Sequence, residues 1–230
     1  EMKGSIITAV HAMEGFSDNG LTSVIATVET ADGSIGQGAC SCGLSVGTNE
    51  APYLYDGGTA FDGMGVSRAA ENIRNVIAPL LIGQDASEQT ECDSLLLTLD
   101  KSTIGANTTA AVSCAVLKAA AASKGIPLYQ QLGGVRAFTM PLPAYLGASG
   151  STRYKDVMCV GYQPNYYFVA YDFPTYHEAA NALWEVLMNW EDYLRDFLGV
   201  KMTYTTGIAI PKGKLRDDYQ LWDMMRDIIK

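Results

Sequence analysis

Apolar and polar positions alternate with period two through the first part of the chain. Ser5 to Ala12 (SIITAVHA) reads as a strand and Phe16 to Gly20 as a turn. Thr22 to Thr30 (TSVIATVET) is a β-branched, alternating strand. Asp32-Gly33 is a hairpin signal, since both residue types accept the left-handed backbone of a tight turn. Ser34 to Cys40 is then the returning strand, and the chain opens with a three-stranded antiparallel meander. A Gly- and Ser-rich loop follows, Ala39 to Gly47. The acidic, glycine-punctuated stretch Asn49 to Gly65 reads as a mobile surface excursion.

At Ser67 the period becomes helical. Ala69, Ala70, Ile73, Val76, Ile77 and Leu80 share one face, and Pro79 is expected to bound that helix. Asp85-x-x-Glu88 has the spacing of a capping box, opening a helix with Cys92, Leu95, Leu96 and Leu99 on its apolar face. Thr108 to Lys124 is alanine-rich and apolar on nearly all sides, which predicts a helix packed inside a domain. Gly125 and Pro127 end it, and Gly133-Gly134 close the short element after it. Three strands followed by three helices imply an α+β domain with the helices on one sheet face.

The pattern changes after Arg136. Met140 to Leu146 is an extended, proline-held segment, and Tyr166 to Tyr171 reads as a buried strand. Thr175-x-x-Glu178 caps a long helix whose apolar face is Ala179, Leu183, Val186, Leu187, Trp190, Leu194 and Phe197. Its acidic residues, Glu185, Glu191, Asp192 and Asp196, read as a solvated side. Met202 to Ile210 is expected to form another strand and Leu215 to Ile229 another helix. This order predicts an α/β barrel or layered sheet that has begun but not closed. The expected boundary separates residues 1–137 from 138–230.

Composition narrows the function classes. The net charge of −9, with few Lys/Arg clusters, argues against nucleic acid or an anionic membrane as partner. No apolar run reaches transmembrane length and no signal peptide opens the chain, so the cytoplasm is the expected compartment. Five scattered cysteines read as free, buried thiols, and with only His11 and His177 a structural zinc site is not expected.

Gly43-Leu44-Ser45-Val46-Gly47 matches G-x-S-x-G, the turn that presents a nucleophilic serine. A hydrolase would then use Ser45 with His177 as base, but the residues after Gly47 continue poorly into a helix. No Gly-Lys-Ser/Thr follows, which excludes a P-loop. Asp156 and Asp172 read as ligands or as helix-entry residues, and Lys212-Gly213-Lys214 as a solvated basic turn.

Lys101 to Gly134 closely resembles the enolase family, whose pattern is NKS-x-LGAN, an alanine-rich helix and G-x-PLY-x-x-LGG. Lys101-Ser102, Gly105-Ala106-Asn107, Lys118 to Ala121 and Pro127-Leu128-Tyr129 carry the match. Upstream, Ala70-Glu71-Asn72 and Ile77 to Gly83 resemble VENVN-x-x-IAP-x-LIG, and Ser41 to Ala51 resembles PSGASTG-x-x-EA. The likeness is good from Ser5 to Pro143 and faint beyond.

The resemblance implies an enolase-like N-terminal capping domain followed by the opening strands and helices of an incomplete barrel. It implies a lyase that dehydrates 2-phosphoglycerate to phosphoenolpyruvate, a lysine taking the proton while Mg2+ stabilises the enediolate. The substrate expected is thus a small phosphorylated acid. Ser45 matches the mobile-loop serine that ligates the second magnesium. There are departures. Val46 stands for the family's threonine and Ser41 for its proline, and Ser17 to Ser23 lacks the arginine and proline of DSRGNPT. The histidine segment has no counterpart, the QEF glutamate falls near Asn165 or Tyr166, and Thr206 stands for another family glutamate. The acidic metal ligands and catalytic lysines belong to later barrel strands, so this chain alone is expected to be inactive. A non-catalytic enolase-like scaffold is the alternative, and a serine hydrolase a remote one. An open barrel edge calls either for further chain or for self-association, and a homo-oligomer, dimer or higher, is expected.

Overall fold

The computed structural model describes residues 4–17, 20–41, 47–148, 166–199 and 214–229. Strands β1 (Ile7–Phe16), β2 (Thr22–Thr30) and β3 (Ile35–Ser41) form the expected antiparallel meander in the order β1-β2-β3. Strand β1 outruns its predicted end, because Met13 to Phe16 go on pairing with Ile25 to Thr22. The hairpin turn carries Gly33 at φ +82°, and Asp32 Oδ1 accepts from Thr30 Oγ1 and from the Ser34 amide.

The inner sheet face presents Val10, Val24, Ala26 and Val28, all buried. From β3 it presents Gly36 and Gly38. A Cβ on Gly36 would lie 2.1 Å from the Ala115 carbonyl oxygen and 2.2 Å from the Ala119 nitrogen. On Gly38 it would lie 2.1 Å from the Ala111 oxygen. Helix α5 (Ala106–Ser123) therefore rests its backbone directly on β3, through Ala111, Ala115 and Ala119, spaced four apart on one face. The burial expected on nearly all sides is incomplete: Ala110, Cys114, Lys118 and Ala122 form an exposed stripe. Of the cysteines described, Cys92 is buried, Cys40 half-buried and Cys114 exposed, so not all are the buried thiols expected. Burial and the Asp93, Asp85 and Glu91 carboxylates push the Cys92 thiol pKa up to about 11. At the far end of α5, Ser123 Oγ donates to Asp32 Oδ2 at 2.5 Å, stapling the helix end to the hairpin.

Pro79 does not bound the helix begun at Ser67. Helix α1 (Ser67–Asn72) runs through a π turn (Ile73–Ile77) into α2 (Ala78–Leu81). The wider turn lies just where a proline ring would crowd an ordinary α-turn and where its missing N–H would leave a gap. It also shifts the phase. Ile73, Ile77 and Leu81 are fully buried, while Val76 and Leu80, expected on the same face, are 37% and 36% exposed.

The capping box expected at Asp85 does not form. Helix α3 (Gln89–Leu97) starts after Glu88 with no side-chain cap. Asp85 Oδ1 instead accepts from Ser87 N at 2.9 Å and Ser5 Oγ at 2.6 Å, beside an isolated bridge between Ile6 and Asp85. Holding down the chain start takes the carboxylate away from the helix. Helix α4 (Lys101–Ile104) is capped by Asp100, and α6 (Leu128–Gly133) follows α5.

The chain separates into two compact units, Glu1–Phe138 and Thr139–Lys230. In the second, β4 (Ala144–Ala148) pairs antiparallel with β5 (Tyr166–Val169), which ends two residues before the predicted Tyr171. Helix α7 (Tyr176–Leu198) begins with the predicted capping box, Thr175 and Glu178 exchanging bonds, and α8 (Asp218–Ile228) follows. Phe168, Trp190, Leu194, Leu198, Leu221, Met224 and Met225 make its core. Glu191 is not on the solvated side: it is 7% exposed. Burial and the neighbouring Glu191 carboxylate together raise the Tyr145 hydroxyl pKa. The strand expected at Met202 to Ile210 lies outside the described residues. Among the described residues no single helix is long and apolar enough to cross a membrane.

Candidate functional site

Ser45 lies outside the described residues, as do its neighbours from Cys42 to Val46. What the structure describes is how the chain enters and leaves that segment. On the entry side, β3 carries the chain as far as Ser41, which pairs with Ser23 of β2. On the exit side, the Gly47 amide donates to Glu50 Oε2 at 2.8 Å and Glu50 N returns a bond to the Gly47 carbonyl at 3.2 Å. The Tyr53 hydroxyl donates to the Cys40 carbonyl at 2.5 Å, joining exit to entry. Ala106 N donates to Pro52 O at 2.8 Å, and the Asn107 side chain bonds both backbone groups of Leu54.

The stretch from Asn49 to Gly65 is therefore tied down at several points, against its reading as a free surface excursion. Asp56 completes the anchoring. Its carboxylate accepts from Ser67 N at 2.9 Å, Ser67 Oγ at 2.7 Å and Arg68 N at 2.9 Å, capping α1 from a distant position in the chain. Thr22 Oγ1 also donates to the Met64 carbonyl. Sequence reading missed Asp56, because a cap is sought within a few residues of the helix start.

Partial burial disfavours the Asp56 carboxylate, but the bonds from Ser67 and Arg68 outweigh it and hold its pKa below the ordinary 3.8. A carboxylate depressed in the folded state stabilises fully above its unfolded pKa, and that stabilisation is lost as pH falls through the folded value. Asp56→Asn is expected to lower the urea midpoint at neutral pH and to flatten part of its decline below about pH 4. Urea titrations across that range check it, and an unchanged acid slope contradicts it.

The turn that would present Ser45 as a nucleophile lies outside the described residues. A nucleophile elbow runs from strand into helix. Among the described residues after β3 the next regular element is a 3₁₀ turn at Ala60–Gly63, with the residues between it and Gly47 in loop. His177, the candidate base, sits exposed on the first turn of α7. Asp172 is exposed with φ +63°, and Asp156 and Lys212 lie outside the described residues.

Among the described residues no three His, Cys, Asp or Glu side chains converge to hold a metal. Mg2+ needs about six oxygens in near-octahedral array, and the single Ser45 hydroxyl cannot supply them. The described donor set does not fit a magnesium centre. Lys101, from the matched motif, lines a groove of about 400 Å³ between α3 and α5, with Asp93 and Ser113 on its walls.

Of the anchoring residues, Gly47, Glu50, Ala106 and Asn107 belong to the motifs singled out above, and comparison with known proteins extends the likeness. The family described as "Enolase, N-terminal domain" matches residues 7–132, more than half of the chain. An enolase of Pyrococcus furiosus is 49% identical over 141 residues, covering 60% of this chain and 33% of the relative. One from Thermococcus gammatolerans is 47% identical with the same coverage. One from Aeropyrum pernix is 36% identical over 197 residues, 84% of this chain and 45% of the relative, so that likeness continues into the second unit. The chain thus spans about a third to a half of the length of these curated relatives. With its meander, its alanine-rich helix and the motifs between them, the chain belongs to the enolase family, as a bearer of that family's N-terminal domain.

Proposed function

We propose that this chain is the front part of an enolase-superfamily lyase. In that reading its first unit caps the active site and delivers Ser45, and its second opens the barrel. The whole protein dehydrates 2-phosphoglycerate to phosphoenolpyruvate, a glycolytic step, in the cytoplasm and as a homo-oligomer. The observation that carries this is the family match, which runs through both stems of the Ser45 segment and the helix that braces them. The expected magnesium dependence belongs to the same proposal and rests on residues beyond those described.

The 230-residue chain alone is inactive in this reading. The match to about a third to a half of the length of the enolases it resembles supports that. The test assays two polypeptides, this chain and the product of the complete reading frame, for phosphoenolpyruvate absorbance with 2-phosphoglycerate and magnesium. The chain is expected to be silent and the complete product active. Turnover by the chain alone overturns the first expectation. A silent, folded complete product overturns the second and favours a non-catalytic scaffold.

A further inference from the structure

The groove between α3 and α5 is charged at its two ends and largely apolar between them. Asp93 marks one end. The Gln89 side chain donates to Asp93 Oδ1 at 3.0 Å and to the Ser113 carbonyl at 3.2 Å, holding that carboxylate beside Ser113 of α5. Lys101 marks the other end, where α4 leads into Ala106 at the start of α5. Seven residues of helix separate Ala106 from Ser113, so the two ends lie about 10 Å apart. Among the described residues neither Asp93 nor Lys101 is in an ion pair. Between them the groove is lined by the small side chains of Ala51, Ala106 and Ala110. Leu97 also lines it and is 68% exposed, whereas its neighbour Leu96 is buried.

We infer that this groove is an interface between two copies of the chain, related by a two-fold axis near Ala110. Such an axis lays a surface patch against its own copy, so each contact from one residue to another is answered by the reverse contact. A groove positive at one end and negative at the other is complementary to itself in that arrangement. Lys101 of one copy meets Asp93 of the other, and the pair occurs twice. Leu97 of each copy enters the alanine-lined groove of the other and leaves water. A single exposed leucine is ordinary on a protein surface. This one stands beside a groove of small residues, between charges placed for a two-fold partner. One groove falls short of the roughly 800 Å² per partner of a standard interface, so a dimer exchanging in the micromolar range is expected. The inference gives a surface to the homo-oligomer of the proposed function and does not depend on the role of Ser45.

The experiment is sedimentation equilibrium of the complete polypeptide across micromolar concentrations, with circular dichroism to show each variant folded. Lys101→Asp and Asp93→Lys are each expected to weaken dimerisation about tenfold, because each turns two attractions into two repulsions. The double variant, with both exchanges, is expected to return to within about threefold of wild type. Leu97→Ser is expected to weaken dimerisation about tenfold. Lys124→Asp makes the same charge change at the far end of α5 and should leave dimerisation unchanged. Cross-linking locates the contact: Ala110→Cys, made together with Cys114→Ser, is expected to join two copies through residue 110 with a short bismaleimide. Where Asp93→Lys does not fold, Asp93→Asn, which still accepts from Gln89, is read in its place and should weaken dimerisation about threefold. Single variants that dimerise like wild type, a double variant no better than the singles, or no cross-link at residue 110 each overturn the inference. A dimer that persists through all of them leaves the homo-oligomer standing on another surface. A wild-type protein that stays monomeric removes both the interface and the homo-oligomer.

Discussion

Gly36→Ala is expected to unfold the N-terminal unit or to destabilise it by about 3 kcal/mol or more, beyond the usual cost of one added methyl in a core. A new Cβ would meet the Ala115 oxygen at 2.1 Å, the Ala119 nitrogen at 2.2 Å and the Ala119 Cα at 2.8 Å. These are backbone atoms in the middle of a regular helix, so no rotamer change relieves the overlap. The helix or the strand must move bodily, and either movement opens the contact with Val24, Ala26 and Val28. Gly38→Ala meets the Ala111 oxygen and the Ala115 nitrogen and is expected to behave alike. Gln37→Ala, between them on the exposed face, is the control and should be nearly neutral. Urea titration followed by far-ultraviolet circular dichroism gives the comparison. A Gly36→Ala midpoint within error of wild type would mean that the helix does not lie on this strand.

The second large effect is expected at Trp190. It is fully buried, its Nε1 donates to the Gly147 carbonyl at 2.6 Å, and its ring meets Phe168 edge-on at 5.6 Å. Trp190→Ala removes the largest core side chain of the second unit and should cost about 3–5 kcal/mol. Trp190→Phe retains most of the apolar contact but leaves a buried carbonyl without its donor, and should cost about 1–3 kcal/mol. Hydrogen exchange resolved by peptide is the appropriate measurement. Protection should fall in β4, β5 and α7 for both variants, in that order of severity. Undiminished protection of β4 in Trp190→Phe would remove the indole bond from the account of this core.

Much of this architecture was legible because its determinants are local. The alternation of Thr22 to Thr30, the Asp32-Gly33 turn and the Thr175–Glu178 box each involve partners within a few residues, and all three formed. The misreadings share an opposite cause. Gly36 and Gly38 carry no hydropathy signal, and their meaning appears only when the backbone of α5 is laid against them. Val76 and Leu80 were placed on the wrong face because a π turn resets the helical phase, which a fixed period cannot anticipate. Asp85 has capping-box spacing but is claimed by Ser5 from the other end of the unit. Glu191 reads as one of four surface acids until the long helix is seen to turn it toward Tyr145. At the candidate site, the motif around Asn107 was visible as a family mark. Its clamp on Leu54 joins residues 53 positions apart and could not be read from spacing.

The seam between β3 and α5 has a consequence for synthesis. The strand ends at Ser41, and the helix that covers it begins at Ala106. While the intervening chain is made, the segment Ser67–Leu81 can cover β1 and part of β2, but the glycine floor of β3 has nothing of its own to lie against. At about 5–20 residues per second that interval lasts several seconds. A glycine-floored groove accepts only a helix of small residues, so no earlier segment is a good substitute. On the ribosome this unit should stay protease-sensitive and prone to capture by hydrophobic-binding chaperones until Ser123 has emerged, and should then close in one cooperative step.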